Sequence, residues 1–297
     1  MASQSLPCLY KNPDHYLKAF HIFCSASGKF NVYQAWVDGE RFSEAVVDKL
    51  QATLDGQEGL RVLGVGSGSG EIDCAILKRL LRQFPRIDNR VVDPSDELLG
   101  RYKALAESKA HQLHGVTCDW RQQTIEQYEK AGDLTKFHFI SAIDSIYHAE
   151  DALDSWLTYL YSRLENGGVM LVIMRTDDSG FTRFLNGFQR FHANYHDVTS
   201  GDVRSCLDRL GITYTQYRQP RRMNITTCFD RASEEGNLLL DFLTFTVCFR
   251  EAAPEGLQTW VMEHLASSDC LERKGDEILL NLDWDAVVVN KPLGMVG

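Results

Sequence analysis

"LRVLGVGSGSGEID" occupies residues 60–73, and its reading decides the fold. An apolar run ends at Val65, Gly66, Gly68 and Gly70 follow at alternate positions with Gly64 already inside the run, and Glu71 begins a stretch with helical spacing. A strand that turns through glycines into a helix offers backbone N–H groups and the positive end of a helix dipole to a ligand. Spacing removes two ligands. The dinucleotide fingerprint needs a third glycine five positions after the first, and counting from Gly64 or Gly66 those places hold Ser69 and Glu71. A phosphate-cradling G-x-x-x-x-G-K-[ST] loop fails as well, because Glu71 follows Gly70 and a carboxylate there repels phosphate. What remains is G-x-G-x-G on a strand-to-helix turn whose far end is acidic.

Outward from that turn, short β-branched runs alternate with longer helical patterns, which is how a parallel sheet wound with helices reads. Strands are expected at 61–65, 89–93, 115–118, 137–143, 169–174, 212–217 and 285–290. Helices are expected at 71–83, 95–110, 122–130, 150–166, 181–191 and 202–210, the fourth of them stopped by Gly167 and Gly168. Between the last two strands, residues 219–275 are too long for a turn and hold amphipathic helix candidates at 237–249 and 255–265, an inserted helical cap. The expected fold is α/β, a doubly wound, mostly parallel seven-stranded sheet carrying that cap. Residues 1–297 are read as one domain: N-terminal helices over 1–55, an α/β core over 60–218 and 284–290, and the cap.

Composition narrows the partners. The 297 residues carry 31 Lys plus Arg against 41 Asp plus Glu, a net charge of -10 that repels polyphosphate over most of the surface, so nucleic acid is not an expected partner. Eight cysteines without a C-x-x-C pair suggest neither a zinc site nor a disulfide scaffold, and no metal is expected. The longest strongly apolar run, "VMLVIM" at 169–174, is far short of a membrane span, and the first residues lack a basic start before an apolar core. The expectation is a cytoplasmic monomer, away from membranes.

The G-x-G-x-G turn resembles the first motif of the class I methyltransferases that use S-adenosylmethionine. A sulfonium and an ammonium favour negative surroundings, so Glu71 is no obstacle to that cofactor. Asp93 falls at the end of the second strand, 23 residues beyond Gly70, where a carboxylate accepts from both hydroxyls of a ribose. Gly64, Gly66, Gly68, Gly70, Asp93 and Ile143 are the candidate cofactor-binding residues. One departure stands out: class I enzymes often carry an acid where this chain has Gly64, and Ser67, Ser69 or Glu71 are the candidates to replace it. No N-P-P-Y or D-P-P-Y follows the fourth strand, where the chain reads "IDSIYHAED", so a macromolecular substrate is disfavoured.

"GSGSGEIDCAIL", "VVDPSDELLGRYKAL", "FHFISAIDSIYH", "VTSGDVRSCLDRLG" and "EGNLLLDFLTFT" resemble, in order, successive segments of the vertebrate histamine N-methyltransferase family, and "DHYLKAFHIF" resembles its first helix. The resemblance implies methyl transfer to a ring nitrogen of a small imidazole or amine compound in an aromatic pocket. Tyr16, Phe20, Phe23, Tyr147, Phe181 and Phe242 fall on pocket positions, and the first three share a helix face by spacing alone. Asp144 would orient the substrate, and His148 would take up the released proton near its ordinary pKa of about 6.5. Three substitutions alter the contacts that hold histamine: Lys29 and Asp144 stand where the family has glutamate and glutamine, and Leu282 aligns with its asparagine, unless Asn281 or Asp283 takes that place. A lysine accepts no hydrogen bond and repels an ammonium. Two alternatives therefore stay open, a larger imidazole bearing a carboxylate, such as carnosine, and a catalytically silent relative that still binds the cofactor.

Overall fold

The computed structural model describes residues 6–54, 59–147, 149, 152–188 and 198–294. Its strands are β1 Gly59–Val65, β2 Arg86–Val92, β3 Val116–Arg121, β4 Phe137–Ile143, β5 Leu164–Arg175, β6 Thr215–Gln219, β7 Arg222–Asn224, β8 Leu271–Lys274, β9 Glu277–Asn281 and β10 Trp284–Asn290. They form a seven-stranded sheet of order β3-β2-β1-β4-β5-β10-β6 and a three-stranded sheet of order β7-β9-β8. The chain divides into two compact units, one made of Phe30–Met174, Asp197–Tyr217 and Asp285–Gly297, the other of Met1–Lys29, Arg175–His196 and Arg218–Trp284. No helix among the described residues is long and apolar enough to cross a membrane.

The first unit carries the seven-stranded sheet. β1 runs parallel to β2 on one side and β4 on the other, β3 extends beyond β2 and β5 beyond β4, so the chain reverses its direction of winding beside β1. Crevices for ligands open at the carboxyl ends of strands at such a reversal, which is where the glycine turn lies. β4 and β5 are buried along nearly their whole length, as strands covered on both faces must be, and this explains their unbroken apolar runs. The helix Glu71–Leu80 packs Ile72, Ala75, Ile76, Leu77 and Leu80 inward. Ser95 caps the helix Asp96–Ser108 by accepting from the Leu98 N–H at 3.2 Å.

One helix stop differs from the expectation. The helix Leu153–Arg163 passes straight into β5 at Leu164, and Gly167 and Gly168 lie inside that strand. The end carbonyls are satisfied by a cation rather than by a glycine turn: Lys291 Nζ donates to the carbonyls of Tyr161 at 3.0 Å and Leu164 at 2.8 Å. Gly167 has another task, since a Cβ on it would press on Thr53 and Leu293.

In the second unit the helices Pro13–Ser27 and Glu234–Leu243 pack side by side, joined by His15 Nε2 and Asp241 Oδ2 at 2.7 Å. The helix expected over 237–249 ends at Leu243 because Asp241 also accepts from the backbone N–H groups of Cys248 at 3.0 Å and Phe249 at 2.7 Å, which folds the chain back through left-handed Phe245 and Cys248. The segment 219–275 holds the two expected helices and, in addition, β7 and β8 with most of their sheet.

His138 on β4 accepts from the Arg61 N–H of β1 at 3.0 Å while buried between the strands. Burial, then the Arg61 guanidinium, push its pKa down to about 4. From pH 6.5 to 4 the unfolded chain therefore binds a proton that the folded chain refuses, and stability falls as the pH falls. Urea unfolding at pH 7 and pH 4.5 is expected to show an acid-dependent loss larger in the wild type than in His138→Gln, by on the order of 2 kcal/mol.

Candidate active site

Hydrogen bonds to β2 and the residue after it hold the glycine turn. The Gly66 N–H donates to the Val92 carbonyl at 2.7 Å, the Gly68 N–H to Asp93 Oδ2 at 2.8 Å, and the Gly70 N–H closes the turn on the Ser67 carbonyl at 3.1 Å. Gly66, Gly68 and Gly70 all lie in the left-handed region, at φ 61, 57 and 81. Two of them are also needed for space, since a Cβ on Gly66 would run into Ser145 and one on Gly70 into the ring of Tyr102. At Gly68 none of the described residues comes within 4 Å of that position.

Asp93 is buried, and its other oxygen accepts from the Ser95 N–H at 2.9 Å. Each carboxylate oxygen keeps a lone pair, enough for a diol. Ser69 and Glu71, two of the candidates to replace an acid at position 64, are occupied with each other, the Ser69 hydroxyl donating to Glu71 Oε2 at 2.6 Å. Beyond the turn, Ile143 ends β4 half-buried, and Asp144 follows in a left-handed conformation at φ 46 with its N–H on the Ile173 carbonyl at 2.9 Å. A non-glycine residue held at positive φ stores strain that neighbouring contacts must offset. One of those contacts is Tyr33, a fully buried residue whose hydroxyl donates to Asp144 Oδ2 at 2.7 Å. The sequence reading missed Tyr33, because an apolar-spaced aromatic in the helix Lys29–Asp38 looks like core. Tyr147 packs against the apolar core of the sheet, and His148 lies outside the described residues.

The second unit gathers the aromatic candidates. Phe23 stacks on Phe242 with ring centres 4.3 Å apart, Tyr16 on Phe20 at 5.7 Å, Phe20 meets Phe242 at 5.9 Å, and Phe181 reaches Phe23 at 6.3 Å. Burial pushes the Tyr16 phenol up to about 12, so it remains a neutral hydroxyl. Lys29 Nζ stands 5.4 Å above the ring of Phe20, which puts a positive charge on this cluster. Leu282 is buried, its N–H on the Arg221 carbonyl at 2.9 Å, while Asp283 accepts from the Arg221 N–H at 3.1 Å and pairs with Arg222. Asn281 is bound to Asp283 in turn, its side-chain oxygen accepting the Asp283 N–H at 2.8 Å. Both polar neighbours of Leu282 thus serve the join between β9 and β10.

A seven-stranded, mostly parallel sheet with a glycine turn at its point of reversal and a carboxylate ending the adjacent strand is the fold of a class I S-adenosylmethionine-dependent methyltransferase. The family model described as a methyltransferase domain matches residues 37–221. Histamine N-methyltransferase of Danio rerio is 31% identical over 290 residues, covering 95% of this chain and 97% of its own length. Carnosine N-methyltransferase 2 of Gallus gallus is 29% identical over 276 residues, covering 90% of this chain and 83% of its own length. Among solved structures, the plantazolicin methyltransferase BpumL in complex with a pentazolic analogue and SAH aligns with a TM-score of 0.51 at 14% identity, over 95% of this chain and 93% of that one. The chain belongs to the histamine N-methyltransferase family, as a divergent member. It is an S-adenosylmethionine-dependent N-methyltransferase.

Asp93→Ala removes the acceptor of two backbone N–H groups along with any contact to a ribose. S-adenosylmethionine affinity, measured by calorimetry, is expected to fall by about 1–3 kcal/mol. Unchanged affinity would remove Asp93 from the cofactor site.

Proposed function

We propose that the chain methylates a ring nitrogen of a small imidazole amine of the histamine class. The similarity to histamine N-methyltransferases over nearly the whole chain carries this reading, and the stacked cluster of Tyr16, Phe20, Phe23, Phe181 and Phe242 supports it. Aromatic faces suit a flat, partly cationic acceptor.

The residues around the glycine turn fit the cofactor: Gly64, Gly66 and Gly70 admit no side chain, Gly68 opens outward, and the buried Ser145 hydroxyl has no partner among the described residues. Gly64, Gly66, Gly68 and Gly70 are assigned to close backbone approach, Asp93 to the ribose hydroxyls, and Ile143 to the end of β4 beside them. When bound, S-adenosylmethionine supplies an electrophilic methyl group on a sulfonium, and the acceptor nitrogen forms its new bond to that carbon as the carbon–sulfur bond breaks. The protein's part is alignment, with the reacting atoms held about 3 Å apart. The attacking nitrogen must present a free lone pair, which neutral imidazole does near pH 7, so no strong base is required. Asp144, fixed by the Tyr33 hydroxyl and by its own constrained backbone, is assigned to accept a hydrogen bond or ion pair from the acceptor, leaving the other ring nitrogen to attack. The proton released afterwards is assigned to His148.

A second acceptor is favoured by one observation. The Lys29 ammonium over Phe20 disfavours a bare ammonium and favours an acceptor with a carboxylate, such as carnosine. Transfer of labelled methyl to histamine and to carnosine in parallel, with mass identification of the product, separates the two; turnover of neither would overturn the imidazole reading. Lys29→Glu is expected to move the preference toward histamine, and an unchanged preference would take Lys29 out of acceptor selection. Tyr33→Phe is expected to lower kcat/KM for the better acceptor by roughly tenfold through a less firmly held Asp144.

A further inference from the structure

Position 64 is where the class I resemblance expects an acid, and the structure leaves no room for a side chain there. A Cβ on Gly64 would run into the Ser67 hydroxyl and stand 2.9 Å from Oδ1 of Asp73. The space is already filled by a carboxylate, which comes from the first turn of the helix Glu71–Leu80. Its surroundings belong to three elements of the site. Ser141 on β4, the register partner of Gly64, donates its hydroxyl to Asp73 Oδ1 at 3.4 Å, and the buried Ser67 hydroxyl of the glycine turn, without a partner among the described residues, borders the same space. The charge acting on Asp73 is that of Asp93 after β2, another acid. Tyr102 on the helix Asp96–Ser108, Cys118 on β3 and its own neighbour Cys74 are pushed up in turn by burial and by Asp73, so they hold their protons and bring it no countercharge.

We propose that Asp73 is the acid of the cofactor site, delivered from the helix in place of a side chain at position 64, and that binding of cationic S-adenosylmethionine draws it into its carboxylate form with release of one proton to solvent. Three features of the geometry support the change of state. A cation entering a poorly hydrated site is attracted over a longer distance than it would be in water. The helix N-terminus favours the anion. The Ser141 hydroxyl already donates to it, and the buried, unpartnered Ser67 hydroxyl is at hand as a second donor. Before binding, burial outweighs these donors and pushes the Asp73 pKa up to about 7.

Below pH 7 the free protein holds a proton that the complex gives up, so affinity rises with pH up to about 7 and levels off above it. Fold stability runs the other way. Because the folded-state value lies above the ordinary carboxylate value of 3.8, stability falls as pH rises from 3.8 toward 7 and stays lower beyond. Asp73→Asn escapes that loss, so it is expected to melt higher than the wild type at pH 8.

The decisive experiment is calorimetry of S-adenosylmethionine binding to the full chain in two buffers of different ionisation enthalpy, at pH 6.5 and at pH 8.5. The wild type is expected to release about three quarters of a proton at pH 6.5. Release from this residue should be nearly absent at pH 8.5. In Asp73→Asn the release at pH 6.5 is expected to disappear, the affinity to lose its rise between pH 6 and 7, and the affinity at pH 8 to drop roughly tenfold. The ligand's own amino group titrates near 8 and is largely protonated at pH 6.5 in both proteins, so their difference at that pH isolates Asp73. A wild type that releases no proton at pH 6.5 overturns the proposal without reference to any variant, as does a folded Asp73→Asn with the wild-type pH profile. No acceptor enters the measurement, so the outcome is independent of which amine is methylated.

Discussion

The Gly68 N–H on the Asp93 carboxylate, at 2.8 Å, is the constraint from which the arrangement of the glycine turn and its helix follows. It ties the turn after β1 to the residue after β2, and the Gly66 N–H on Val92 does the same one step earlier. With the turn fixed at two points, its three left-handed glycines have one path, which leads into the helix Glu71–Leu80 and sets where that helix starts. The start of the helix in turn decides where Asp73 points. A single charge-assisted hydrogen bond of this kind contributes about 1.5–3 kcal/mol, small against the burial of the surrounding strands. Its effect is geometric: it selects one loop conformation out of the many that glycine would otherwise sample.

Sequence resolved best what burial made uniform. "FHFISAI" at residues 137–143 matches β4 residue for residue, because a strand covered on both faces must be apolar throughout. The end of the helix Leu153–Arg163 was not legible, since the cation that satisfies its carbonyls, Lys291, is distant in the sequence, and Gly167 and Gly168 offered a local explanation that the fold does not use. β7 and β8 escaped notice because "RMN" and "LERK" are too short and too polar for period or apolarity to mark them, and the brief buried alternation of "EILLN" in β9 was passed over. At the candidate site, the glycine turn and the place of Asp93 after β2 were readable from spacing. The contacts of Tyr33 with Asp144 and of Asp73 with the space at Gly64 were not, because each residue sits in a helix where its neighbours' apolar pattern conceals it.

One signal for Asp73 was nonetheless present. A glycine at the end of a buried strand gives up side-chain packing and adds conformational entropy to the unfolded chain, so something has to take the vacated volume. Ser67, Ser69 and Glu71 were the candidates within the turn, yet the last two pair with each other, and only Ser67 reaches the space at Gly64. The remaining volume is filled from the third residue of the helix, one helical turn away from the motif. A carboxylate buried there, beside Asp93 and Tyr102, destabilises the free protein whenever it ionises, and a purely structural role would be met as well by asparagine. Retaining an acid at such a place makes physical sense where a cationic ligand supplies the missing countercharge.

The aromatic cluster carries a charge of its own. Phe20 presents one ring face to Tyr16 and lies under the Lys29 ammonium, so the ring quadrupole that would attract an acceptor's cation already faces one supplied by the protein. An acceptor bearing only positive charge must compete with that ammonium for the aromatic surface. An acceptor bearing a carboxylate can pair with the lysine and still lay its imidazole on the rings. Tyr16 cannot reverse this balance, since its buried phenol holds its proton to a pKa of about 12 and offers a neutral hydroxyl rather than a countercharge. On the proposed reading, selection between the two kinds of amine would depend on the sign of one side chain at position 29, since the shape of the stacked rings is compatible with either.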